Sequence, residues 1–183
     1  MAKPNAVIIG VGDGLYAALA RNLMADYSLT LAPPSADTMQ SLADETRARM
    51  VLLDATDESA VAALFDDLPE VPRVAIYNPS APVRGPITDL SVEDVRRAID
   101  VTAIGACLTG KHAAKRMLEA ESIDGKKGTI LFTGASTGVK GFPQSAPFAM
   151  GKFAQRGLAE SMARELHPQG VHVAWVNIDG GIL

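Results

Sequence analysis

The earliest residues that could do chemistry are glycines. Ile9-Gly10-Val11-Gly12-Asp13-Gly14-Leu15-Tyr16 stands between an apolar run and an Ala/Leu-rich segment. Without Cβ atoms a backbone can turn tightly and approach a pyrophosphate, while a following helix offers free N–H groups at the positive end of its dipole. Gly10, Gly12 and Gly14 form the candidate cradle, with Leu15 beside them. The alternative is a tight turn with no ligand. A nicotinamide dinucleotide expects an acid near the end of the second strand for NAD, or an arginine nearby for NADP. Residues 32–35, Ala-Pro-Pro-Ser, supply neither. Asp13 would repel a 2′-phosphate lying near it, so NAD is preferred over NADP.

Other chemistry-bearing side chains read as structural. The three His have no metal-ligand spacing, and no metal site is expected. His112 falls on a solvated helix face between Lys111 and Lys115. His167 precedes Pro168 at a helix end, where a cation suits the dipole. His172 is expected partly buried and hydrogen-bonded in a strand. The single cysteine, Cys107, is assigned to the core, and a lone cysteine excludes an intramolecular disulfide and a cysteine zinc cluster. Asp66, Asp67 and Glu70 read as a solvated helix end. Tyr77, beside Asn78, is either a strand aromatic or an acid at a ligand edge.

The positioning elements follow from pattern. Short apolar runs at 6–9, 29–32, 50–53, 73–77, 129–133 and 171–176 read as strands. Helical spacing occupies 13–26, 35–49, 57–68, 91–121 and 145–166. Ser35, Asp57 and Ser91 are the expected caps, and a break is expected near Thr102. Alternating strand and helix, with strands apolar throughout, predicts a parallel sheet covered on both faces. The fold class is α/β, a Rossmann-type doubly wound sheet. The loop at 78–90, with its prolines, reads as functional.

Composition bounds the rest. The 183 residues suit one domain, 1–183, and 48% are apolar, enough for a core. A net charge of −4 gives no footprint for nucleic acid or an anionic membrane, and no apolar run is long enough to cross a bilayer. With no signal-peptide pattern, a cytoplasmic location is expected.

Over its whole length the chain resembles the short-chain dehydrogenase/reductase family. Gly10 and Gly14 match the first two glycines of Thr-Gly-x-x-x-Gly-x-Gly, and Tyr16 replaces the third. A phenol there would swing outward or push the turn apart, stacking on the ligand or obstructing the pyrophosphate. Asp54-Ala55 resembles the pair that contacts adenine. Asn78 matches the start of Asn-Ala-Gly. Thr102 stands at the family's catalytic Asn, with Gly105, Leu108, Lys111 and Met117 in register. Residues 177–182 stand where the family has Asn-x-x-Pro-Gly-x-Val, with Gly180 and Ile182 at the nicotinamide end.

The family places Ser, then Tyr thirteen residues on, then Lys four further. At these spacings stand Ala135, Phe148 and Lys152. The resemblance implies that Lys152 holds the nicotinamide ribose. It also implies that Phe148 cannot carry the proton a Tyr exchanges and that Ala135 cannot donate the Ser hydrogen bond. Ser136 is a second candidate for the missing hydroxyl. The expected function is an NAD(P)-binding oxidoreductase that, if active, moves hydride to or from a small alcohol or carbonyl. The alternatives are an impaired nucleotide-binding module and a structural subunit. The resemblance further implies strand order 3-2-1-4-5-6, with the family's seventh strand absent and the sixth an exposed edge of a truncated or partly unobserved domain. It implies a homodimer or homotetramer through helices near 102–121 and 145–166, with Ala113-Ala114 suiting close packing.

Overall fold

The computed structural model describes residues 3–10, 14–35 and 39–180. Strand β1 (Asn5–Ile9) pairs in parallel with β2 (Ser28–Ala32) on one side and β4 (Pro72–Tyr77) on the other. Short β3 (Arg49–Met50) adds outside β2, while β5 (Gly128–Thr133) and β6 (Val171–Val176) extend the other wing. Among the described residues the sheet has six strands in the order β3-β2-β1-β4-β5-β6, the order that the family resemblance implies. Beyond β3, extended backbone continues: Val51 N donates to Leu31 O and Leu53 N to Pro33 O, each at 2.9 Å.

The helices are α1 (Leu15–Leu23), α2 (Gln40–Thr46), α3 (Glu58–Asp66), α4 (Val92–Ile99), α5 (Gly105–Glu119) and α6 (Ala146–Leu166). Asp57 caps α3, its Oδ1 accepting from Ser59 N at 2.8 Å and Ala60 N at 3.1 Å. Ser91 caps α4 through Asp94 N at 3.0 Å. Ser35 is not a cap: α2 starts at Gln40 after Met39, whose side chain makes no cap hydrogen bond. It ends at Arg47, whose backbone is left-handed.

Successive strand residues feed opposite faces. Ala6 and Ile8 pack with Tyr16, Ala20 and Leu42 under α1 and α2. Val7 and Ile9 pack with Phe65, Ala113 and Ala159 under α3, α5 and α6. Coverage is less complete than predicted, because His172 and Val176 on β6 are exposed. His172 stacks on His167 at 4.8 Å between ring centroids rather than lying partly buried. His167 Nε2 accepts from Val173 N at 2.9 Å, so it holds the turn into β6. His112 is half-buried, not fully solvated, and burial lowers its pKa. Cys107 is exposed rather than core, since α5 turns Ala106, Ala113, Ala114 and Met117 inward instead. Ala113 and Ala114 are therefore spent on the core and are not free for a partner.

The break near Thr102 is a π-helical segment, Asp100–Ile104. Such a segment loosens the carbonyl ladder, and here other groups claim the carbonyls. The Tyr77 hydroxyl donates to Val101 O, and Gln155 Nε2 donates to Thr102 O at 3.3 Å. Gly105 leaves room for this: a Cβ there would lie 2.2 Å from Tyr77 Oη. Among the described residues, no helix is long and apolar enough to cross a membrane.

Candidate active site

In an open α/β sheet, ligands bind beyond the carboxyl ends of the strands, where the strand order reverses. That point lies between β1 and β4. A cleft opens there in two lobes of about 590 and 630 Å³, and Asn78 and Ser80 line both.

The first lobe is lined by Gly10, Asp54, Ala55 and Asn78 together with Ala32 and Pro34. Gly10 adopts φ 121°, and a Cβ there would lie 2.9 Å from Pro79 Cδ and 3.1 Å from Asn78 Cβ. Only a glycine lets the Asn78-Pro79 turn close this tightly on the end of β1. Asp54 Oδ1 accepts from Thr56 Oγ1 at 2.7 Å and Thr56 N at 2.9 Å. These bonds hold its carboxyl below the usual range, so it is an anion at neutral pH. Asp54 is the only ionisable residue in the lining described. Gly14 directly precedes α1, whose first residue, Leu15, lines the second lobe. The start of α1 thus reaches the second lobe, where unpaired N–H groups of a first helical turn can meet an anion.

The second lobe brings together Leu15, Asn78, Ala135, Ser136, Phe148, Lys152 and Gly180. Lys152 comes from α6 and is 3% exposed. Its ammonium donates to Thr133 O at 2.6 Å and stands 3.5 Å from Gln155 Oε1. Among the described residues it has no carboxylate partner. Burial disfavours the charged form and draws its pKa down to about 8. Thr133 Oγ1 lies 2.9 Å from Asn78 Oδ1 and 3.1 Å from Tyr77 O, so Thr133 links Asn78 to the lysine. The Phe148 ring lies 5.9 Å from Lys152 Nζ, within cation–π range. Ala135 and Phe148 thus share one lobe with Lys152, as their spacing predicts, and neither bears a hydroxyl.

Some expected residues do not reach the lobe. Thr102 is fully buried, and its Oγ1 accepts from Ala81 N at 3.4 Å, behind the lining rather than in it. Ser136 lines the lobe, but its hydroxyl donates to Asp179 Oδ1. Tyr77 is no acid for this cleft. It lines neither lobe, it is spent on Val101 O, and burial with the Asp54 charge pushes its pKa up. Tyr16 does not swing outward. Its ring is fully buried between α1 and the sheet, and its hydroxyl reaches toward Ala32 without hydrogen-bond geometry. Gly12 and Ile182 lie outside the described residues.

Two residues of this region were not singled out in the sequence. Gln155 is fully buried, and its Oε1 also accepts from Trp175 Nε1 at 3.3 Å. Its amide therefore ties β6, the π segment and Lys152 together. The available signal was a polar residue on the stripe 152, 155, 159 that otherwise faces the core. Arg84 lines the second lobe without an ion pair among the described residues. Its position inside a Pro-rich loop hid it, because loop geometry is not periodic.

Comparison with known proteins agrees with this architecture. A family model described as short chain dehydrogenase matches residues 4–180. The chain is 30% identical to the short-chain dehydrogenase/reductase eriH of Hericium erinaceus, over 93% of this chain and 71% of that protein. It is 31% identical to a cis-4-hydroxycyclohexanecarboxylate dehydrogenase of Sinomonas cyclohexanicum, over 92% of this chain and 69% of that one. The crystal structure of a short-chain dehydrogenase from Rhodopseudomonas palustris superposes with a TM-score of 0.88 at 31% identity, covering 97% of this chain and 85% of that one. With a six-stranded parallel sheet, a cleft at its switch point and a family match from residue 4 to residue 180, this chain belongs to the short-chain dehydrogenase/reductase family of oxidoreductases.

Proposed function

We propose that the protein binds a nicotinamide dinucleotide across both lobes, NAD in preference to NADP, and that its turnover of small alcohols or carbonyls is suppressed. The observation that carries this reading is the pairing in the second lobe. A buried lysine with no carboxylate partner is present, while Phe148 stands where a proton-exchanging phenol would be needed.

The residues fit a dinucleotide. Gly10 forms a cradle that a Cβ would fill, and Asn78 and Ser80 join two lobes of similar volume. In the first lobe, Asp54 and Ala55 would meet the adenine. Gly10 and Gly14 would admit the pyrophosphate, with Gly12 between them in the chain. Lys152 would hold the nicotinamide ribose hydroxyls, with Asn78, Gly180 and Ile182 toward the carboxamide. Residues 10–16 and 32–39 contain no Lys or Arg to pair a 2′-phosphate, and Asp54 is negative; both favour NAD. The bound nicotinamide would supply or accept a hydride. This chain must then exchange a proton at the substrate oxygen. Phe148 carries none, and Ala135 cannot orient the oxygen. Loss of general acid–base catalysis costs roughly 10²–10⁴ in rate.

A second reading has its own support. Lys152 lines the same lobe and titrates near pH 8, so its ammonium is an acid of suitable strength at neutral pH. Fluorescence titration with NADH and NADPH, followed by a turnover screen on alcohols and ketones, tests both. NADH is expected to bind more tightly than NADPH, with slow or absent turnover. Rapid turnover would overturn the suppressed-enzyme reading, and a pH profile breaking near 8 would favour Lys152 as the donor. Absence of binding by either nucleotide would overturn the dinucleotide reading and favour a structural subunit.

We also propose self-association through α5 and α6. Ile104 and Cys107 are exposed at the start of α5, and Met150 and Phe153 on α6, which packs beside that segment. Sedimentation equilibrium should give a dimer or tetramer, and Phe153→Lys should shift it toward monomer.

A further inference from the structure

The second lobe carries an electrostatic bias that the dinucleotide does not need. Arg84 and Lys152 line it, and none of its described lining residues is an Asp or Glu. Lys140 holds its ammonium 5.1 Å from the centroid of Phe142, another lining residue, so a third cation stands against the wall. Asp179, which is not in the lining although Ile178 and Gly180 are, accepts a hydrogen bond from the lining residue Ser136. The chain as a whole is acidic, with a net charge of −4, so this concentration of cations is local. A cleft lined by one sign of charge with low-dielectric walls focuses its field on a ligand of the opposite sign.

The walls also include apolar surface. Phe142 and Phe148 both line the lobe, and Phe142 is 42% exposed. Arg84 belongs to the loop after β4, and its guanidinium has no ion-pair partner among the described residues. A planar guanidinium fork matches a carboxylate, which can accept two parallel N–H bonds. A buried ammonium without a counter-ion is relieved by any anion brought near it.

We propose that the second lobe binds a small organic carboxylate, with its apolar body against Phe142 and Phe148 and its carboxylate facing Arg84. This rests on the dinucleotide reading for the lobe's role as a substrate pocket, but not for its charge. This selectivity needs no proton relay, because it resides in Arg84 and in the rings of Phe142 and Phe148.

The test uses the full chain, with benzoate as probe and benzyl alcohol as its uncharged counterpart. Affinities are measured by calorimetry with and without saturating NADH. Benzoate is expected to bind at least about tenfold more tightly than benzyl alcohol. Arg84→Glu should abolish that preference, while Lys115→Glu, the same charge change on α5, should preserve it. Circular dichroism confirms that each variant is folded. Equal affinity for the two probes overturns the proposal, as does an unchanged preference in Arg84→Glu. Inorganic phosphate binding as tightly as benzoate would reveal a bare anion site and overturn the organic carboxylate. Benzoate binding without NADH binding would remove the dinucleotide reading alone. NADH binding without benzoate binding would remove this proposal alone.

Discussion

The two lobes of the cleft are built from different materials. The first is shaped by backbone: Gly10 at positive φ, the turn at Asn78-Pro79 and the extended run after β3. In the second, any chemistry must come from side chains: Ala135, Phe148 and Lys152. The first lobe carries the family pattern at Gly10, Asp54 and Asn78, while the second departs from it at Ala135 and Phe148 and keeps it at Lys152. A backbone cradle survives most changes of side chain. A proton relay is lost when one hydroxyl is lost. On the reading proposed above, the contrast would let one cleft bind a nucleotide while turnover of a substrate is suppressed.

The sharpest way to break the contrast is to restore the second lobe. Ala135→Ser with Phe148→Tyr should raise turnover by roughly 10²–10⁴, read as NADH formation across an alcohol panel. No gain would mean that the lobe lacks something beyond its two hydroxyls.

Gly10→Ala attacks the other lobe. Its Cβ would meet Pro79 Cδ at 2.9 Å from a backbone that L side chains rarely adopt. A cost of about 2–3 kcal/mol in urea unfolding is expected. NADH affinity should also fall more than tenfold. Unchanged binding would show that the cradle lies elsewhere.

Lys152→Met isolates the buried cation. Its folded pKa, about 8, lies below the unfolded lysine value. Between these values the unfolded chain binds more protons, so Lys152 makes stability rise with pH from about 8 toward 10.5. Below pH 8 its cost is constant. Replacement by Met should remove about 3 kcal/mol of that rise, because each tenfold difference in proton affinity between the folded and unfolded chains is worth about 1.4 kcal/mol. Parallel stability curves for the two proteins between pH 7 and 10 would refute an uncompensated ammonium.

The smallest effect belongs to Asp57→Ala. This cap secures α3 directly after the Asp54 turn, through Asp57 N to Asp54 O at 3.1 Å. A loss of about 1 kcal/mol is expected, with NADH binding weakened only slightly.

Much of this was legible in the sequence. The strand order followed from the apolar runs and the family spacing. The caps Asp57 and Ser91 followed from side-chain chemistry, and the break near Thr102 emerged as a π segment. Ala135, Phe148 and Lys152 met in one lobe because loop and helix keep the family register. Errors cluster where tertiary packing decides which way a residue faces. Cys107 and Ala113 lie on one helix, yet the first is exposed and the second fully buried. The sequence leaves open whether Tyr16 swings outward or pushes the turn apart; the sheet leaves room beneath α1 for its ring, which is fully buried. Ser35 had the composition of a cap, and the helix it was to cap begins only at Gln40.

By itself the sequence determined the parallel sheet and which residues stand at 135, 148 and 152. Period and spacing along a chain are local properties, and they can be read without coordinates. Only the tertiary structure decided that Lys152 is buried with no carboxylate partner among the described residues, that Gln155 ties it to β6 and the π segment, and that Arg84 enters the same lobe. Those facts depend on which distant segments meet, and desolvation and charge act through space rather than along the chain.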